Sequence, residues 1–158
     1  HMKNFKKKYL EKYFNEKNFY KNYDKDDIMI IGSLIEKEGL DYDDKRKISS
    51  VIFNRLDINM KLQIDATVLF AITGGTYSLD RKLYLSDLNI NHPYNTYKYK
   101  GLPPAPISYV GTKTIDIIFE NYKSNYLFYF FNNSLNKHIF SKNYNEHKKK
   151  LNEYRNNK

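Results

Sequence analysis

Residues 33–39 read Ser-Leu-Ile-Glu-Lys-Glu-Gly, two carboxylates around a lysine at the end of an apolar run. A carboxyl group held among apolar side chains loses hydration, and its pKa rises because the charged form is disfavoured. That is what a general acid working near neutral pH requires. On a helical wheel with Ile31 as origin, Glu38 falls at about 340°, between Leu34 and Ile35, while Glu36 falls at about 140°, off the apolar stripe. Glu38 is therefore the better candidate acid. A charged residue beside a helix-ending glycine also commonly just reaches back to solvent, and the wheel by itself does not choose.

Other residues are open to two readings each. Arg55 follows Asn54 at the end of a helical pattern, where a cation also suits the helix dipole. Gln63 and Asp65 straddle Ile64; Asp65 is a natural N-cap, whereas Gln63 has no such local duty and is the better binding candidate. Pro93-Tyr94-Asn95-Thr96-Tyr97 presents an amide between aromatic rings, the combination a pyranose ring needs, although a chain with 16 tyrosines generates such strings by chance. Gly101-Leu102-Pro103-Pro104-Ala105-Pro106 is stiff and extended, suited to a groove wall or a linker. His92, His138 and His147 are too dispersed to propose a metal site. There is no nucleophile elbow and no glycine-rich phosphate loop.

The elements that must position these groups follow from periodicity and punctuation. Residues 3–23 read as a basic, aromatic-spotted helix or frayed leader. Asp24, Asp26 and Asp27 offer N-caps for a helix over 28–38, with Gly39 as a left-handed C-cap. An acidic loop over 41–44 leads to a helix over 45–56, in which Ile48, Val51, Ile52 and Leu56 recur at helical spacing. A third helix starts at Asp65 or Thr67 and ends at Gly74-Gly75. Residues 76–113 form a long loop region, a length usually functional inside a compact domain. A helix over 114–122, a hairpin of 126–131 with 138–140, and a basic helix over 145–155 complete the chain. The predicted class is α+β: several helices, a small β-hairpin, and a long ordered loop forming a groove.

Length and composition agree with one domain that buries a core: 158 residues, 41% hydrophobic, 16% aromatic. The absence of cysteine removes disulfides, thiolate nucleophiles and cysteine zinc sites. A net charge of +9 favours polyanionic partners, though the Lys- and Asn-rich usage partly reflects compositional bias. A nucleic-acid binder would use the basic ends with their interleaved tyrosines, but it leaves the Glu-Lys-Glu stretch unexplained. No stretch approaches the ~18–20 apolar residues of a membrane span. The opening His1-Met2 reads as a cloning remnant, so the chain is expected to be a piece of a longer protein: a leader over 1–23 and a catalytic domain over 24–158.

Taken in order, S-L-I-E-K-E-G, V-I-F-N-R-L, M-K-L-Q-I-D-A-T-V, P-Y-N-T-Y, G-L-P-P-A-P-I, the Y-L-F-Y-F hairpin with H-I-F, and a late N-E-H resemble the catalytic domain of the MltG-type (YceG-like) endolytic murein transglycosylases. The likeness runs from about residue 28 to 149. It implies a bacterial enzyme that cuts peptidoglycan glycan strands internally, at the β-1,4 bond after N-acetylmuramic acid, leaving a 1,6-anhydro end. It also implies that the second glutamate, Glu38, is the catalyst, with no cofactor and no metal. Gln63, Asn95, Tyr97 and Tyr94 are then expected to contact sugar. Ser33 and Arg55 are further candidates that a structural role would equally explain. The family pattern often has Pro where Ala66 stands and Gly where Ala105 stands. A membrane anchor and a LysM-like domain would lie ahead of this segment, the active face would lie outside the cytoplasm, peptidoglycan synthases would be partners, and nucleic acid would not. Within enzymes, the alternative is a muramidase-type hydrolase with Asp65 as second carboxylate; outside them, a non-catalytic peptidoglycan-binding module.

Overall fold

A computed structural model of the chain describes residues 2–16 and 20–157. Six helices are present among them: α1 (Met2–Glu16), α2 (Lys25–Glu38), α3 (Tyr42–Asp57), α4 (Asp65–Thr73), α5 (Thr112–Glu120) and α6 (Tyr144–Asn156). Two strands, β1 (Phe128–Asn132) and β2 (Lys137–Ser141), pair antiparallel as a hairpin. The fold is α+β, with the long 74–111 segment interrupted only by a short 3-10 turn at Leu85–Asn89.

Helix α2 is the axis of the molecule, packed by α1, α3, α4 and α5. Its start is fixed by Asp24, whose side chain accepts from Asp27 N at 2.8 Å while the Asp27 side chain accepts from Asp24 N at 3.0 Å. This reciprocal cap satisfies two otherwise orphaned donors. Ile28, Ile31, Leu34 and Ile35 are fully enclosed, each stabilising the fold by about 1.5–3 kcal/mol through burial. Gly39 does not adopt the expected left-handed cap; it is extended, with φ −87°. A Cβ there would come within 2.3 Å of Lys45 Cγ, so the glycine serves the close approach of α3 to the end of α2.

The acidic stretch before α3 is mostly helix, because Asp41 takes the cap position and accepts from Asp44 N at 2.9 Å. Asp65 is likewise not the cap of α4; Ile64 precedes the helix and Asp65 opens it, leaving the carboxylate for another contact. Helix α1 is bound to α5: Leu10 is 2% exposed, and the Tyr9 and Tyr13 hydroxyls both donate to Asp116. The hairpin register puts Tyr129 opposite Phe140 and Phe131 opposite His138. With alternation along a strand, these four share one face, on which Tyr129 and Phe140 pack against the helical core, while Phe128 and Phe130 meet His147 of α6.

Candidate active site

The two glutamates of α2 have different surroundings. Glu36 Oε1 lies 3.3 Å from Lys45 Nζ and also accepts from the Thr114 hydroxyl, so it ties α2 to α3 and α5. Glu38 has no cation within salt-bridge distance among the described residues. Its Oε1 accepts from the Tyr129 hydroxyl at 2.9 Å, and the carboxyl opens onto a cleft of about 380 Å³ between α2, the 61–65 connector, the hairpin and α6.

Burial raises the Glu38 pKa above the ordinary carboxylate value. The Tyr129 hydrogen bond opposes that rise, Asp65 reinforces it, and the smaller influences of His138 and Asp44 oppose each other. The phenol of Tyr129 is itself pushed well above its usual value, first by burial and then by the neighbouring Glu38 charge. It therefore stays a neutral donor, which favours the carboxylate far less than a cation would.

Arg55, Gln63, Asp65 and Tyr97 line the same cleft. Gln63 is exposed and left-handed at φ 53°, a conformation seldom adopted outside glycine and concentrated at functional positions. Its backbone N–H donates to Thr96 O at 3.3 Å, holding the connector against the 93–97 turn. Tyr97 donates its hydroxyl to Asp65, which is the duty left to that carboxylate. Burial and the Asp65 contact raise the Tyr97 pKa. Arg55 is only 7% exposed, and its guanidinium is already committed: Nε donates to Leu127 O at 2.7 Å, and Nη1 donates to Lys61 O at 3.0 Å and Leu62 O at 2.9 Å. It fastens the connector and the start of the hairpin to α3.

Two of the expected sugar contacts, Asn95 and Tyr94, and the further candidate Ser33 stand elsewhere. Asn95 is 0% exposed: its Nδ2 donates to Leu88 O and Ile90 O, at 2.9 and 2.8 Å, and its Oδ1 accepts from Tyr97 N at 2.9 Å. Its amide is consumed in shaping the loop that presents Tyr97. Ser33 is equally enclosed; its Oγ donates to Ile30 O at 2.7 Å and accepts from Ile107 N at 3.0 Å, docking the end of the proline-rich segment onto α2. Tyr94 packs on Phe70, ring centroids 4.8 Å apart, outside the cleft around Glu38.

Three cleft residues were not singled out by sequence as partners of the glutamate. Tyr129 is one. His138 is another: its Nδ1 lies 2.8 Å from Asp44 Oδ2 and its ring meets Tyr129 edge-on at 5.2 Å. His147 is the third, with a buried Nδ1 that has no hydrogen-bond partner; burial, then the Arg55 and Arg155 charges, lower its pKa and keep it neutral. The available signal was strand alternation, which puts Tyr129 and Phe131 on one face; the length of the intervening turn decides that His138 joins them. Among the described residues no group of three or more His, Asp or Glu is arranged to hold a metal.

A half-buried helix-end glutamate with a neutral donor, facing an aromatic cleft, meets its comparison in a family whose sequence model, the YceG-like family, matches residues 1–153. The chain belongs to the YceG-like family. It is similar to an endolytic murein transglycosylase of Bacillus subtilis, 42% identical over 127 residues, covering 80% of this chain and 34% of that protein. It is also similar to an endolytic murein transglycosylase of Streptococcus pneumoniae, 32% identical over 140 residues, covering 87% of this chain and 25% of that one. The crystal structure of a YceG-like protein from Listeria monocytogenes superposes with a TM-score of 0.77 at 38% identity, covering 89% of this chain and 44% of that one. This YceG-like chain thus spans about a third and a quarter of the two enzymes' lengths.

Proposed function

We propose that this YceG-like chain carries the catalytic site of an endolytic peptidoglycan lytic transglycosylase, with Glu38 as the one acid and base. The carrying observation is Glu38 itself: its pKa is raised by burial, it is open to a cleft, and a phenol rather than a cation bonds to it. Tyr129 occupies Oε1, which leaves Oε2 to hold the acidic proton. That proton passes to the oxygen linking N-acetylmuramic acid to N-acetylglucosamine as the C1–O bond breaks. The resulting carboxylate takes the proton of the muramyl 6-hydroxyl while O6 bonds to C1, closing the 1,6-anhydro ring and restoring the acid. No water is consumed, so the second carboxylate of ordinary glycosidases has no task. In this reading Gln63 and Tyr97, which line the same cleft, contact the sugars.

The hydrolase alternative rests on Asp65, which shares the cleft and whose charge Glu38 feels. Mass spectrometry of products from purified sacculi separates the two. Anhydro ends that disappear with Glu38→Gln support the lytic reading; reducing ends replace it with the hydrolase, and full activity of the variant removes Glu38 from the site. A membrane anchor ahead of residue 1, action outside the cytoplasm and work beside peptidoglycan synthases are extensions of the family resemblance. Among the described residues no helix is long and apolar enough to cross a membrane.

A further inference from the structure

Lys37 and Glu38 are adjacent on α2, about 100° apart around the helix, and they open onto different cavities. Glu38 faces the cleft described above, whereas Lys37 lines a second cavity of about 860 Å³ on the other side of Asp65. Asp65 lines both, so the two spaces meet at that residue. The second cavity lies within the roughly 300–1,000 Å³ of ligand pockets. Leu69, Phe70 and Ile107 contribute apolar lining, and the segment carrying Arg81 and Lys82 contributes its cations.

That segment is built to stand where it does. Gly74 and Gly75 are both left-handed, at φ 63° and 75°, and a Cβ on Gly75 would come within 2.8 Å of the Phe70 ring. Tyr94 packs on the same ring, which gives that tyrosine a duty. Arg81 is spent internally: Nη1 and Nη2 donate to the two oxygens of Asp87, at 2.8 and 3.3 Å, and the guanidinium lies 4.2 Å over the Tyr84 ring. Lys37 and Lys82 have no ion-pair partner among the described residues, and both are exposed. Two uncompensated ammonium groups beside an apolar lining suit a ligand with carboxylates and short aliphatic side chains.

We infer that this second cavity binds the acidic peptide carried by the muramyl residue of the strand, with Lys37 and Lys82 meeting its carboxylates. The inference rests on the proposed function, because a muramyl unit poised on Glu38 holds its lactyl-linked peptide beside the scissile bond, one cavity away. It makes the enzyme selective for strands that still bear peptides.

The test compares glycan strands carrying their peptides with the same strands stripped by an amidase, using the chain and its Lys37→Gln/Lys82→Gln variant. The expected result is that the ratio of KM on bearing strands to KM on stripped strands rises about 3- to 10-fold, the scale of two exposed ion pairs. An unchanged ratio overturns the inference, as does a variant that loses affinity only for a phosphate-bearing wall polymer. A second measurement does not depend on cleavage: the free acidic peptide is titrated into the Glu38→Gln chain while the Lys37 and Lys82 side-chain resonances are followed. Saturable shifts of both support the inference even where neither strand is cut, an outcome that would remove only the catalytic reading. No shift at peptide concentrations up to ~10 mM, weaker than any useful site, overturns it.

Discussion

The Tyr129 hydroxyl lies 2.9 Å from Glu38 Oε1, across 91 residues of sequence, and bonds that carboxyl without bringing it a charge. A cation at this place would hold the group ionised, since an opposite charge within reach lowers a carboxyl pKa by roughly 1–3 units. A phenol that burial keeps protonated lowers it less, so desolvation still prevails. In Tyr129→Phe the opposing influence is gone and the Glu38 pKa rises further. The alkaline limb of the kcat profile, where the acid deprotonates, is expected to move to higher pH. kcat should fall roughly 10- to 100-fold at its optimum, because the carboxylate formed in the proposed first step loses a hydrogen bond worth about 1.5–3 kcal/mol. An alkaline limb that moves to lower pH would contradict this role for Tyr129.

Glu38→Gln and Glu36→Gln should part company twice. Removing the proposed acid is expected to lower kcat by about 10²–10⁴, whereas Glu36→Gln, at a carboxylate that ties helices together, should leave it within about two-fold. Stability goes the other way. A carboxyl whose pKa is raised on folding binds its proton more tightly in the native chain than in the unfolded one. Its contribution is thus fully present below the ordinary carboxylate range and is lost as pH rises through the raised value. Glu38→Gln should therefore melt higher than the parent at pH 7, with the gap closing in acid. Each kcal/mol would appear as roughly 2–4 °C at this chain length. Glu36→Gln should melt slightly lower at pH 7, because it gives up the Lys45 contact. Thermal melts of the three proteins at both pH values check all of this.

The helices were legible because their signals are local: Asp24 and the 28–35 apolar stripe determine α2, and the same stripe separates Glu38 from Glu36. What sequence could not resolve depended on contacts across long separations. Gly39 directly after a charged pair looks like a left-handed cap, and only the approach of Lys45 shows why glycine is required there. Asn95 between two tyrosines has the composition of a sugar contact. Whether its amide faces a ligand or its own loop depends on carbonyls at 88 and 90, whose positions follow from the 3-10 turn. Tyr129 and His138 reach Glu38 and Asp44 through hairpin register, set by a turn in which Asn136 is left-handed at φ 51°. Residue types announced a site; tertiary closure decided its members.

The Asn95 and Gln63 side chains should separate structure from binding. Asn95→Ala leaves two loop carbonyls and the Tyr97 N–H without their partner, at about 1–3 kcal/mol for each buried group left unmade. It is expected to lower the melting temperature by several degrees and to weaken cleavage through a displaced Tyr97. Gln63→Ala removes an exposed side chain while its backbone bond to Thr96 is retained. It should raise KM with the melting temperature essentially unchanged, provided that the left-handed backbone is kept; Gln63→Gly, which adopts that backbone freely, is the control. Loss of stability in the glycine variant would show that the side chain is structural.

Arg55 gives the sharpest contrast between an arginine that binds substrate and one that holds the walls of a site. Its guanidinium serves three carbonyls, of Lys61, Leu62 and Leu127, from the end of α3, and these belong to the connector that carries Gln63 and to the residue before β1. Burial lowers its pKa but leaves it charged, so the charge is stabilised by carbonyl dipoles and by the Phe128 ring, whose centroid is 5.2 Å away. Lysine keeps the charge but lacks the planar fork. Arg55→Lys is thus expected to lose about 2–3 kcal/mol of stability, since hydrogen bonds to charged groups contribute about 1.5–3 kcal/mol each and only part of the set survives. At this chain length that is a fall of roughly 5–10 °C in melting temperature. Amide exchange should quicken around residues 61–64 and 127, and KM should rise as Gln63 shifts. An arginine whose main partner is the sugar would behave differently: KM would rise in the lysine variant while the melting temperature and exchange rates stayed at parental values.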